Sequence, residues 1–191
     1  NASALLAKAQ TLVARNQIAD AIARARAAAD ADPHNVRARY MLGRLYTHMN
    51  QPSPAIKAFN EVLQINPRVA VAQTELAKLY LAVDDPKNSS RAADEALRSD
   101  PDNPELRILL ARGLLGAGDI RRAEPEIRHL LKTYPRSAAA QSLAGSMYLT
   151  QRDLPSARKA FEQALRLDMD HREALAQLVN VYAETNNLGE A

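Results

Sequence analysis

The chain has no cysteine and no tryptophan, and only two phenylalanines and six glycines among its 191 residues. Without cysteine it can form no disulfide, no thiolate metal site and no cysteine nucleophile. The compartment stays open, cytoplasmic or periplasmic, because cytosolic and exported proteins alike can lack the residue. So few large rings exclude a core built around aromatics, and alanine must supply close helix contacts instead. Six glycines and ten prolines are too little material for a turn-rich β fold. Neither sign of charge dominates: 25 Lys and Arg face 22 Asp and Glu, leaving +3. Three charges over this length make no field for nucleic acid or a membrane, so neither partner is expected. A composition 47% hydrophobic and 25% charged belongs to an ordered protein, not to a disordered tail.

What is present is periodic. Pro33, Pro67, Pro101 and Pro135 recur every 34 residues without slippage, and the next place in the series holds Met169. Tyr46, Tyr80, Tyr148 and Tyr182 form a second set on that spacing, and Leu42, Leu76, Leu110 and Leu178 a third. Gly43, Ala77, Ala111 and Gly145 follow the leucine place, and such small residues are expected to let two backbones approach. Each unit carries two apolar stripes at helical spacing, such as Leu42, Leu45, Tyr46 and Met49, then Ala55, Phe59, Val62 and Leu63. The spacing predicts first helices over about 2–15, 36–49, 70–83, 104–117, 138–151 and 172–185, each followed by a tight turn and a second helix. Asn16, Asn50, Asp84, Gly118 and Asn186 fill the turn place with residue types that accept a positive φ, and Arg152 breaks that rule. Each periodic proline marks the link to the next unit. Pro125 falls inside a second helix, where a kink or a late start is expected.

These residues resemble the tetratricopeptide repeat family, whose unit of 34 residues sets a large residue, Leu-Gly, Tyr, Ala, Phe, Ala and Pro at fixed offsets. The second unit matches at Leu42, Gly43, Tyr46, Ala55, Phe59 and Pro67, and the fifth at Gly145, Tyr148, Ala157, Phe161 and Ala164. Arg39, Gln73, Arg107 and Gln141 stand where the family has an aromatic, a departure expected to weaken packing without changing the fold. The resemblance implies an all-α fold, a right-handed α-solenoid of stacked antiparallel helix pairs. Units are expected at about 2–35, 36–69, 70–103, 104–137 and 138–171, with the first helix of a sixth at 172–191. The last stripe, Leu175, Leu178, Val179 and Tyr182, and the alanine place at Ala191 suggest a fragment of a longer protein.

Little in the chain carries chemistry. His34, His48, His129 and His171 sit at different phases of the repeat with none at metal-ligand spacing from another, and no phosphate-cradling glycine loop or nucleophile elbow occurs. No metal, no cofactor and no catalysis are expected. In the resembling family the first helices line a concave groove, and transferring its ligand-facing places gives Arg44, Lys78 and Arg112 beside Thr47, Leu81 and Leu115. Arg37, Tyr40, Arg44 and Thr47 lie on one helical face, and Ile108 extends the apolar side. An acidic, partly apolar peptide would satisfy both rows. Against this, exposed basic residues are commonly just solvated, and leucines at helical spacing commonly pack between units. The first unit presents Ser3, Leu6, Gln10 and Val13, with no arginine or aromatic anchor, so the strongest contacts are expected in units two to four.

The resulting expectation is an interaction scaffold that binds a peptide or partner segment in its groove. Richness in alanine and arginine resembles bacterial envelope and secretion components. The alternative is recognition of an anionic polysaccharide, or a non-catalytic arm of an envelope enzyme, with Arg44, Lys78 and Arg112 tracking repeated charges. The family's chaperone-tail clamp finds no matching register, and Asn180 stands alone where an asparagine ladder would run.

Overall fold

The structure, a computed structural model, describes residues 1–185. Every regular element among them is helical: α1 Ala2–Ala14, α2 Ile18–Ala31, α3 Val36–His48, α4 Pro52–Ile65, α5 Ala70–Ala82, α6 Pro86–Leu97, α7 Pro104–Gly116, α8 Ile120–Thr133, α9 Ala138–Thr150, α10 Leu154–Leu167 and α11 Arg172–Glu184. The chain divides into two compact units. The first holds Asn1–Asp85 and Glu95–Pro101; the second holds Pro86–Asp94 and the chain from Asp102. Within the first, α1 packs on α2, α3 on α4, and each pair on the next helix in line; within the second, α7 packs on α8 and α9 on α10 in the same way.

The hairpin turns are built alike. Asn16, Asn50, Asp84 and Arg152 adopt φ between 53° and 62°, and Gly118 lies at 76°. The residue after each reaches back to the last turn of the first helix, as Gln17 N–H does to the Leu12 carbonyl at 2.9 Å and Asp119 N–H to that of Leu114 at 2.8 Å. This is the Schellman arrangement, which needs one left-handed residue and satisfies carbonyls the helix leaves open. Arg152 takes the left-handed conformation although its type disfavours it. Asn186 and Ala191, at the ends of the turn and alanine series, lie outside the described residues.

The links between hairpins follow from proline. Asp32 and Asn66, each preceding a periodic proline, end their helices in extended conformations, at φ −143° and −141°, and Tyr134 before Pro135 leaves the helix at φ −127° and ψ 65°. Asp168 does the same at −148° before Met169. The side chains of Asn35, Asn103, Ser137 and His171 then accept amide protons at the start of the next helix. Pro125 does not delay α8, which starts at Ile120 on an Asp119 cap and continues through the ring. The cost there is one backbone bond, because proline has no N–H to donate.

One packing expectation needs correction. A Cβ on Gly43 would stand 2.6 Å from the Phe59 ring and one on Gly145 2.5 Å from the Phe161 ring, so an aromatic side chain, not a second backbone, fills the space. Both rings are fully buried. Close backbone approach occurs instead at Gly113, where a Cβ would lie 2.7 Å from the Ser90 amide nitrogen. The residues in the aromatic place take polar partners. Arg39 donates through Nε and Nη2 to the Pro33 carbonyl at 3.0 and 2.8 Å and pairs with Glu61. Gln73 Nε2 donates to the Pro67 carbonyl at 2.9 Å, and Arg107 pairs with Glu126 at 2.6 Å. Arg39 and Gln73 thereby satisfy linker carbonyls that proline's geometry leaves outside the helices.

Candidate functional site

In the first unit α1, α3 and α5 face a common cavity of about 650 Å³. Spacings of three and four along α3 bring Arg37, Tyr40 and Arg44 to it with Met41, Leu45 and His48; α1 adds Leu6, Gln10 and Val13, and Val36, Val69 and Val71 close the ends. Among the described residues no carboxylate lines it. Val13 and Val71, 40% and 56% exposed, are among the few large apolar side chains the protein leaves open to water. Tyr40 is held from behind: its ring meets the buried Phe59 ring edge-on, with centroids 5.5 Å apart at 64°. Glycine at position 43 makes room for Phe59, Phe59 props Tyr40, and Tyr40 forms the wall. A partner would therefore spend little entropy ordering that side chain.

The nine residues singled out from the sequence are not brought together. Arg37, Tyr40 and Arg44 share the first cavity. Arg112 and Leu115 line a cavity of about 360 Å³ in the second unit with Leu143, Ser146, Leu149, Thr150, Glu173 and Gln177. There Arg112 Nη2 lies 2.6 Å from Glu173 Oε2, an ion pair joining α7 to α11. Thr47 is exposed on α3, with Oγ1 donating to the Gly43 carbonyl at 2.9 Å. Lys78 is exposed and Leu81 half-buried on α5, and Ile108 is half-buried on α7; none of the three lines either cavity. The wall from α1, which had no charged anchor to recommend it, carries a full side of the larger cavity. Its signal was the spacing of Leu6, Gln10 and Val13; Val69 and Val71, beside the linker, had none.

Elsewhere the polar residues have structural duties. The hydroxyls of Tyr46, Tyr80 and Tyr182 bond Arg26 at 2.5 Å, Asn60 at 3.3 Å and Glu162 at 3.3 Å, each on the preceding second helix. His171 Nδ1 accepts the Ala174 amide proton. Among the described residues no three His, Asp or Glu side chains gather as metal ligands, and no helix is long and apolar enough to cross a membrane.

Sequence profiles described as tetratricopeptide repeat match residues 12–79, and a second such profile matches 108–172 and 148–191. The chain belongs to the tetratricopeptide repeat (TPR) family. No curated protein matches it in sequence. Among solved structures it is similar to YrrB, described as a TPR protein with an unusual peptide-binding site, at 20% identity and TM-score 0.82 over 93% of this chain and 91% of that one. It is similar to MamA at 18% identity and TM-score 0.78, over 90% and 94% of the two chains. PilW, described as a widely conserved type IV pilus biogenesis factor, aligns at 17% identity and TM-score 0.72 over 99% and 89%. These likenesses establish the fold class, the TPR α-solenoid of paired helices.

Proposed function

We propose that this TPR protein is a non-catalytic scaffold that holds a partner segment in the groove of its first unit. The observation that carries the reading is the lining of that groove: valine, leucine and methionine side chains with Arg37 and Arg44 among them and no carboxylate. The matching segment is acidic and partly apolar. Its carboxylates would take charge-assisted bonds from the two guanidiniums, and its apolar side chains would cover Val13, Met41 and Val71. Covering apolar surface stabilises by about 25 cal/mol per Å², so the valines supply affinity while the arginines supply register and choice of partner. The peptide-binding site in YrrB's description supports a peptide ligand, and PilW's description supports a setting in bacterial envelope or secretion assembly.

The test is a titration with a short synthetic peptide of glutamate and leucine, followed by fluorescence anisotropy. Arg37→Glu combined with Arg44→Glu should weaken binding at least about tenfold, about 1.4 kcal/mol, and replacing the peptide's leucines by asparagine should weaken it further. Undiminished binding by the reversed protein would refute the reading. Capture of an anionic polysaccharide in proportion to its length, collapsing in salt and indifferent to leucine, would favour recognition of polymer charge instead.

A further inference from the structure

The cavity in the second unit repeats the register of the first. Three repeat periods along the chain, Gln10 becomes Arg112, Val13 becomes Leu115 and Met41 becomes Leu143, while Val71 becomes Glu173. Along the middle helix the change is larger: Tyr40 gives way to Ser142 and Arg44 to Ser146. The floor is thus small and neutral, and the charge has moved to the two flanks. There it is bridged, Arg112 on α7 to Glu173 on α11, beside a cavity of about 360 Å³ that shares Leu149, Thr150 and Gln177 with a further cavity of about 580 Å³.

We infer that the second unit is a latent ligand groove in which Glu173 occupies, from within the chain, the place of a partner's carboxylate on Arg112. Glu173 holds Arg112 through one guanidinium nitrogen, Nη2, while the buried Nε makes no hydrogen bond among the described residues. A partner carboxylate approaching end-on can take Nη1 and Nη2 together, the bidentate geometry a guanidinium offers. Side-chain exposures of 37% and 40% keep the bridge in contact with water, where such pairs are weak and readily exchanged. A displaced Glu173 is not stranded either, since it lies in the first turn of α11, where the helix dipole favours a negative charge. The ligand class is a segment with one carboxylate for Arg112 and an aliphatic side chain for Leu115, Leu143 and Leu149.

This inference rests on reading the first unit as a peptide groove, and the experiment separates the two. The protein carrying Arg37→Glu and Arg44→Glu, with the first groove silenced, is titrated calorimetrically with the glutamate and leucine peptide. Adding Glu173→Gln should tighten binding about two- to fivefold, the exchange factor that loss of a half-exposed internal competitor allows. Adding Arg112→Gln to that protein should abolish the gain, and exchanging the charges, Arg112→Glu with Glu173→Arg, should return binding to the silenced level. No gain from Glu173→Gln, or a gain that survives Arg112→Gln, overturns the inference. Should Glu173→Gln disturb folding, hydrogen exchange on the silenced protein with native Glu173 answers the same question. Saturating peptide should speed amide exchange in the first turn of α11 if Glu173 is displaced, and unchanged or slower exchange overturns the inference. Failure of the wild-type protein to bind in its first groove would sink the earlier reading while leaving this one to stand on the silenced variants.

Discussion

Replacing Gly43 by alanine tests the chain of support from helix packing to the groove wall. The added Cβ would stand 2.6 Å from Cε1 and Cζ of Phe59 and 2.8 Å from Cδ1. Carbon atoms prefer about 3.5 to 4.0 Å, so the overlap is about 1 Å. The ring is fully buried and its partner Tyr40 sits edge-on against it, so retreat toward solvent or past Tyr40 is opposed. Overpacking of this kind costs about 1 to 3 kcal/mol, set against about 1 kcal/mol gained when alanine replaces glycine inside a helix. The net loss is therefore about 0 to 2 kcal/mol, too broad a range to decide anything alone.

The coupling decides. Phe59→Leu by itself removes ring volume from a closed site and should cost about 1 to 3 kcal/mol. In the double variant the new methyl occupies space the ring has left, so the two losses should fail to add, with a favourable interaction of about 1 kcal/mol or more. Urea unfolding followed by far-UV circular dichroism gives all four stabilities. Gly145 and Phe161 repeat the geometry in the second unit, at 2.5 Å, and should couple alike without touching peptide binding in the first. Gly43→Ala, by pushing Phe59 against Tyr40, should weaken that binding. Losses that add within about 0.5 kcal/mol at both sites would refute the account of glycine as room for the ring.

Gly113→Ala should cost more than Gly43→Ala, about 3 kcal/mol, because its Cβ would meet the Ser90 nitrogen and the Pro86 carbonyl oxygen at 2.7 and 3.0 Å, and backbone cannot swing aside. Equal midpoints for the two variants would contradict this. Arg152→Gly should raise stability by about 1 kcal/mol, since at φ 62° an L-residue bears a strain that glycine lacks; an unchanged or lower urea midpoint counts against it. Asp153 caps α10, and bonds from the Ser156 hydroxyl and amide hold its carboxyl below the ordinary range. Its contribution is complete above the unfolded carboxyl's pKa and lost as pH falls through the lower folded value, so Asp153→Asn should flatten that part of the acid limb of stability against pH.

The fold was legible because its punctuation is chemically narrow. A left-handed turn residue in every hairpin admits few types, and Asn16, Asn50 and Gly118 announce it locally. A proline at each link forces the preceding residue out of the helix, so Pro33, Pro67 and Pro135 mark ends to within a residue or two. Arg152 and Met169 show how far the array tolerates exceptions. Turns and links keep their course at both, because the hairpins on either side bury too much for one disfavoured residue to reverse. Packing partners were less legible. Gly43 and Gly145 advertise missing volume without saying whether a backbone or a ring takes it; the answer lay sixteen residues away, in the only two phenylalanines of the chain. Arg39 and Gln73 looked like damaged aromatic places because their partners, linker carbonyls, have no sequence signature.

The site was half legible for a reason that bears on what the groove does. Helical spacing assembles Arg37, Tyr40 and Arg44 on one face of α3, and that much follows from about 3.6 residues per turn. Whether such a row recognises anything depends on what stands across from it, one or two first helices away, and local periodicity is silent about that distance. Arg44 and Arg112 are equivalent in the repeat and alike in type, yet Arg44 opens onto a cavity without a carboxylate while Arg112 is met by Glu173. A side chain that packs within its own hairpin has its fate written within one period. One that faces the groove has it written in other units, where Val71, one unit on from Arg44, closes the first cavity and Glu173, two units on from Arg112, the second. Substitutions at such distant places can therefore retune recognition without disturbing any hairpin, and that freedom lets one repeated fold carry an open groove and a bridged one in the same chain.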